Sequence, residues 1–224
     1  MISIQDVTYS YPGLAGSFRL GPISLDVQEG KLVFWVGPNG SGKSTLARIL
    51  CQEMVAESGS VTGLDGSFIY YHQSVEDNVF PDLTVRQHIR LLGRDQGSLK
   101  NVMRLFPELD AIGHKYPDEL SGGQIQLVAF AALLARRRSF YVFDEVFNHL
   151  DAAISLRVVA ALRELVIGEY KAHCVLISHD LTLTQSMADR VDVFCDGQIK
   201  SSLEGSSLRR HGFRLTDILF SSGV

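Results

Sequence analysis

Nine consecutive residues, Gly37, Pro38, Asn39, Gly40, Ser41, Gly42, Lys43, Ser44 and Thr45, follow the pattern G-x-x-x-x-G-K-[ST], a spacing suited to phosphate chemistry. The glycines let the backbone curl so that successive N–H groups point at one oxyanion. A helix starting near Ser44 adds the positive end of its dipole. In that geometry Lys43 reaches the β- and γ-phosphates of a nucleotide and Ser44 binds Mg²⁺. Further along, Asp144 and Glu145 follow the apolar run Phe140 to Phe143. A buried strand there delivers both carboxylates to the C-terminal edge of a sheet, where ligands of open α/β folds collect. Asp144 is then expected in the Mg²⁺ shell, through water, and Glu145 beside the attacking water. Phosphoryl transfer asks mostly for such positioning and charge neutralisation. An acidic pair that merely caps a helix is the competing explanation.

Between these two groups lie Leu120, Ser121, Gly122, Gly123 and Gln124. Ser121 can cap a helix whose first amides, bared by Gly122 and Gly123, form a second anion site. The phosphate loop already serves the γ-phosphate of the chain's own nucleotide. A second anion-binding helix start has a use if it meets the nucleotide of a symmetry mate, across a two-fold interface with two identical composite sites. An ordinary Gly-rich helix start is the alternative.

These residues need a scaffold, and the periodicity supplies one. Ile2 to Tyr9 and Phe18 to Val27 read as β segments, and the fully apolar Leu32 to Val36 as a strand buried on both faces. A strand, the glycine loop and a helix from about Ser44 form the context a phosphate loop requires. After a strand at Phe68 to Tyr71 the texture turns helical, around Thr84 to Leu92, Leu99 to Phe106 and Gly122 to Ala135. Gly93, Pro107, Gly113 and Pro117 break it. The alternation then resumes with Phe140 to Phe143 (strand), Ala152 to Ile167 (helix), and Cys174 to Ile177 and Val191 to Cys195 (strands). Asp196-Gly197 marks a hairpin into Gln198 to Leu203, and the tail from Ser201 reads as polar and short. The expected fold is α/β: a P-loop NTPase core with a mainly parallel sheet, an N-terminal antiparallel β subdomain and an inserted α-helical subdomain. One unit spans 1–224, with 1–73 and 134–224 as the core and 74–133 as the helical subdomain. No internal repeat is present.

Composition excludes several classes. The 224 residues are 46% hydrophobic and 21% charged, with a net charge of -4 and a pI near 6.0, which argues against a nucleic-acid partner. Cys51, Cys174 and Cys195 are scattered, without metal or disulfide spacing, and read as buried apolar residues. The apolar stretch Ile125 to Ala135 is about half the ~20 residues of a membrane span and is closed by Arg136, Arg137 and Arg138. Those arginines offset a helix dipole. The first residues alternate like a strand rather than a signal peptide, so a cytoplasmic location is expected.

The order of phosphate loop, Leu120–Gln124 segment and Asp144-Glu145 resembles the nucleotide-binding subunit of an ATP-binding cassette (ABC) transporter, over Tyr11 to about Gly197. The resemblance implies ATP and Mg²⁺ as ligands. It makes Gln73 the glutamine that senses Mg²⁺ and water, and His179 the histidine that touches the γ-phosphate. It sets Tyr11 against adenine, with Tyr9 close enough to compete, and Asp151 in a loop linking the two sites of a dimer. A helix cap before Ala152 is a second role open to Asp151. The implied machine is an ATPase that dimerises around two ATP, as a homodimer or with a homologous ATPase subunit. It would lie on the cytoplasmic face of the membrane and drive transmembrane permease subunits, which would dock near Gln73 to Pro81 and Thr84 to Leu92. A soluble ABC ATPase of an iron–sulfur scaffold type is the alternative; a small-molecule kinase would have no use for Ser121–Gln124, Glu145 and His179 together. Several positions depart from the pattern. Val146 replaces the usual proline, Phe147, Asn148 and His149 fill places more often small, and Ile125, Leu127 and Ala132 stand where many members carry arginine. The last three leave their helix apolar on most sides, as a buried helix or one contacting a partner would be.

Overall fold

Side chains alternate across a strand, and in this protein the alternation divides the buried strands between two apolar cores. Leu32, Phe34 and Val36 of β3 (Leu32–Val36) face one core, and Val33 and Trp35 the other. β6 (Phe140–Asp144) and β7 (His173–Ile177) divide the same way. Tyr141, Phe143, Cys174 and Leu176 go to the first core, and Phe140, Val142, Val175 and Ile177 to the second. Strands wet on neither face need covers on both. The computed structural model describes residues 1–12, 18–72, 74, 79–93, 96–148, 150–211 and 213–221, with backbone alone at 96–98, 220 and 221.

The central sheet has the order β5-β6-β7-β3-β8-β9, adding β5 (Phe68–Tyr71), β8 (Arg190–Cys195) and β9 (Gln198–Glu204). All neighbours pair parallel except the terminal β8–β9 hairpin. A second sheet, β2-β1-β4, is antiparallel and is built from β1 (Ile2–Ser10), β2 (Arg19–Val27) and β4 (Ser58–Thr62). Its Ile2, Ile4, Val7, Leu20 and Ile23 close the second core together with Leu46, Ala47, Ile49 and Leu50 of α1 (Lys43–Leu50).

Between β5 and β6 the chain is helical: α2 (Val85–Leu92), α3 (Gln96–Leu105), α4 (Glu108–Ala111) and α5 (Gly122–Leu134). Leu127 and Ala132 of α5 are buried. Two of the three apolar residues at positions where the resemblance implies arginine are thus consumed by packing within this chain, and Ile125 is half-buried. Val85, Ile89, Val102, Phe106 and Leu109 join the same core as Phe34 and Phe143. Past the end of α5, Arg137 lies over the Tyr170 ring at 5.7 Å, so part of the basic run is engaged by an aromatic face.

Several elements differ from the reading of the sequence. The helix expected over Ala152 to Ile167 is α6 (Ala152–Ala161) followed by a π-helical stretch, Leu162–Glu169. The wider turn closes with Tyr170 N donating to Leu165 O at 2.7 Å, five residues back, while Leu162, Leu165 and Val166 stay buried. α7 (Leu181–Met187) went unread because seven residues carry too few turns for a periodic signal. In the tail, α8 (Gly205–Leu208) and α9 (Leu215–Ser221) add to β9. Gln185 of α7 fastens this region, donating to Leu208 O and Phe213 O and accepting from Leu215 N. The three cysteines are buried and unpaired. No helix among the described residues is long and apolar enough to cross a membrane.

Candidate functional site

β3 ends against β8, and the chain must turn there before α1 can start. Gly37 sits at φ +144°, and a Cβ on it would lie 2.1 Å from the Phe194 carbonyl oxygen. At φ +103°, Gly42 occupies the N-cap position of α1 and would put a Cβ 2.6 Å from Leu20 Cδ1. Both steps exclude any larger residue. With glycine as N-cap no side chain bonds the first amides of α1, and the first turn holds no acid; those N–H groups and the dipole are left for an anion.

Lys43 is buried, and its Nζ donates to Gly37 O at 2.8 Å, Pro38 O at 2.9 Å and Ser41 Oγ at 3.2 Å. Burial pulls its pKa below the ordinary lysine value, against the opposite pull of the Glu145 and Asp144 carboxylates. The lysine is thus an expensive buried cation held over the loop, matched in charge by the acids on the next strand.

Asp144 closes β6, and Tyr70 of β5 donates its hydroxyl to Asp144 Oδ2 at 3.0 Å. The other oxygen, Oδ1, is buried and has no hydrogen-bond partner among the described residues. Burial raises the Asp144 pKa, opposed by Ser44, Tyr70 and Lys43. Glu145 follows in a left-handed conformation, φ +56°, with its N–H bonded to Ile177 O of β7 at 3.0 Å. A non-glycine residue held there stores strain at the sheet edge. Its side chain is only 4% exposed. Burial first, then repulsion from Asp144, push its pKa up to about 7, while Lys43 acts against both. His179, just past β7, brings Nε2 to 2.9 Å from Glu145 Oε1. The approach is a close contact rather than an aligned hydrogen bond, since Oε1 has no hydrogen-bond partner among the described residues, and it becomes an ion pair only when the imidazole is protonated. Burial and then the Lys43 charge hold the His179 imidazole below its ordinary pKa, against Asp144.

These groups line one cleft of about 570 Å³, which gathers Tyr11, Asn39 to Thr45, Asp144, Glu145 and His179. Gly37 and Pro38 form the base of the loop through their carbonyls. Tyr11 rather than Tyr9 faces the cleft. Its hydroxyl is 3.0 Å from Thr45 Oγ1 and its ring meets the Tyr9 ring edge-on at 5.2 Å. Phe18 and Ile177 complete the wall and were not singled out from sequence, where an isolated apolar residue carries no signal. In sequence Tyr70 carries no signal beyond its place in a strand. Gln73 lies outside the described residues, as does His149.

Ser121 and Gln124 lock the start of α5 in a reciprocal capping box: Ser121 Oγ accepts from Gln124 N at 3.4 Å, and Gln124 Oε1 from Ser121 N at 3.0 Å. Ser121 and Gly122 are exposed, and a Cβ built on Gly122 would meet nothing within 4 Å. Residues 120–124 are not among those lining the nucleotide-sized cleft. Asp151 caps α6, accepting from Ile154 N through Oδ1 at 2.8 Å, which is the structural role open to it. Val146, where the resemblance implies proline, and Phe147, where it implies a smaller residue, are buried, and the Phe147 ring stacks on Phe34 at 6.4 Å.

A family model described as ABC transporter matches residues 20–148. Among curated relatives, a sulfate/thiosulfate import ATP-binding protein of Thermosynechococcus vestitus is 31% identical over 89% of this chain and 62% of its own length. One of Bacillus cereus is 32% identical over 89% of this chain and 60% of its own. An sn-glycerol-3-phosphate import ATP-binding protein of Escherichia coli is 30% identical over 88% and 58%. The chain therefore spans about three fifths of the length of these relatives. In fold, an ATP-binding subunit of an ABC transporter superposes with a TM-score of 0.81 at 22% identity, covering 99% of this chain and 98% of that one. A dimeric ATP-binding cassette in a post-hydrolysis state with ADP and Pi gives 0.79 at 22%, covering 92% and 99%.

Proposed function

The chain belongs to the ABC transporter family, and from that premise we propose that it is an ATP-hydrolysing motor subunit. It closes on a second copy, or on a homologous ATPase subunit, around two ATP molecules and drives transmembrane permease subunits from the cytoplasmic face of the membrane. One observation carries this reading. Lys43, Asp144, Glu145 and His179 converge on a single cleft, while the other anion-binding helix start, at Ser121–Gln124, lies outside its lining with Ser121 and Gly122 exposed. Such a helix start has work to do on the nucleotide of another copy. The import ATP-binding relatives favour a membrane-spanning partner over a soluble assembly complex.

In this reading Tyr11 stacks on adenine, and the Gly37–Thr45 loop and the start of α1 hold the phosphates by backbone N–H groups. Lys43 exchanges its loop carbonyls for phosphate oxygens. Ser44 and Asp144, joined by Gln73, would hold Mg²⁺, which when bound neutralises phosphate charge. The bare, buried Oδ1 of Asp144 fits that role. Mg²⁺ takes most of its ligands from water and phosphate, so one or two protein oxygens suffice to hold it. Glu145, with its pKa near 7, is matched to accept a proton from the attacking water at neutral pH. His179 steadies that carboxylate and reaches toward the γ-phosphate. Asp151 lies in the loop that joins the two sites.

Gly122→Asp tests the shared site. A carboxylate in the first turn favours helix α5 by about 0.3–1 kcal/mol, and the Gly122 position is open, so thermal stability holds or rises. The same carboxylate repels an ATP on the facing copy. Size-exclusion chromatography should therefore show loss of ATP-driven dimerisation in a folded chain; dimerisation as strong as that of the parent would count against the proposal. Tyr11→Ala should weaken ATP binding by about 1 kcal/mol, the scale of one aromatic stack. Tyr11→Phe should bind nearly as the parent does, because the hydroxyl contacts Thr45. Equal losses in both variants, measured by calorimetric titration, would assign the effect to that hydrogen bond instead of the ring.

A further inference from the structure

We infer that Tyr70 is a positioning residue for the metal-binding carboxylate Asp144, an inference that rests on the Mg-ATP reading of the cleft. β5 and β6 run parallel with Tyr70 opposite Val142, and Asp144 lies two residues beyond Val142. A separation of two returns to the same face of a strand, so Tyr70 and Asp144 project together on the side of the sheet that α1 covers. Phe68 and Tyr70 pack against the core that holds Phe140 and Val142. From that place the phenol reaches forward by one pleat and donates to Asp144 Oδ2 at 3.0 Å.

The phenol is itself held. The Tyr70 ring lies 4.3 Å from that of His72, centroid to centroid. Against the cost of burial, attraction to Tyr70 helps raise the pKa of Arg48, in the last turn of α1. The hydroxyl has one carboxylate oxygen as its acceptor. With Oδ2 held by Tyr70, Oδ1 is the buried oxygen with no hydrogen-bond partner among the described residues, and Asp144 and Ser44 line the same cleft. Tyr70 would thus leave Oδ1 as the oxygen available to an ion and keep the carboxylate from rotating away. Tyr71, next in sequence, cannot do this, because it packs in the opposite core with Phe143.

Groups that orient a ligand from behind typically change metal affinity by about 10- to 100-fold when removed. Tyr70→Phe keeps the ring against His72 and loses only the hydroxyl. Binding of a fluorescent ATP analogue is measured with EDTA and across a MgCl₂ titration, and ATP hydrolysis across the same titration. The expected result is unchanged binding in EDTA, half-saturating Mg²⁺ raised by about tenfold in both assays, and kcat at saturating Mg²⁺ within about twofold of the parent. Unchanged Mg²⁺ dependence would overturn the inference. So would an equal loss of ATP affinity with and without Mg²⁺, which would make Tyr70 a wall of the nucleotide pocket. A parent chain that binds the analogue in neither condition would overturn the Mg-ATP reading itself, a result distinguishable from both.

Discussion

Glu145→Gln should lose at least about two orders of magnitude in ATP turnover, the usual weight of a positioned general base, while holding two copies of the chain together around ATP. The substitution preserves shape in a position that is only 4% exposed, so the fold has no reason to yield. It removes the group best matched to take a proton from water. It also removes a negative charge that stands beside Asp144 and would face the γ-phosphate. Burial and Asp144 already raise the pKa of this carboxyl to about 7, a sign of how poorly the site tolerates two negative charges. A neutral amide relieves that repulsion, so ATP binding is retained or tightened and the closed dimer accumulates because its exit by hydrolysis is blocked. Size-exclusion chromatography with Mg-ATP and a phosphate-release assay check both halves. Undiminished turnover, or strictly monomeric elution at high protein concentration, would refute the role given to Glu145.

Lys43→Ala should weaken ATP binding by about a hundredfold, the scale of one or two charge-assisted hydrogen bonds, with little change in thermal stability. The two effects separate because the lysine is costly to bury. Its pKa is depressed by desolvation, and the three hydrogen bonds to Gly37 O, Pro38 O and Ser41 Oγ offset that cost in the free chain. Removing the side chain removes both the cost and the bonds. The phosphates then lose their only buried lysine among the described residues. Calorimetric titration of ATP against the folded variant decides the matter; affinity equal to the parent's would take Lys43 out of the phosphate site.

Much of the fold was legible because its signals are local. The all-apolar Leu32–Val36 and Phe140–Phe143 segments declared strands buried on both faces, and the glycine-lysine loop declared a strand-to-helix turn. What stayed hidden depends on contacts between distant segments. Tyr70 became informative only once the parallel register between β5 and β6 brought its hydroxyl to Asp144. The pairing of His179 with Glu145 requires neighbouring β6 and β7, whereas in sequence His179 stood out through resemblance alone. The π-helical turn after α6 and the short α7 lacked the length from which a period can be read. Val146 and Phe147 looked like departures in a functional loop, and the structure gives them a packing role instead.

The central claim is that each nucleotide site is built from two chains, and mixing two inactive variants tests it most directly. Lys43→Ala spoils the phosphate loop and Gly122→Asp spoils the facing helix start. A dimer with one chain of each kind retains one intact composite site. At ATP levels that saturate only the parent, neither variant alone should turn over ATP appreciably, and an equimolar mixture should recover turnover, up to about a quarter of the parental value, the limit reached when half of the dimers are mixed and each holds one intact site of two. Two folded variants whose mixture stays as inactive as its parts would contradict a shared site.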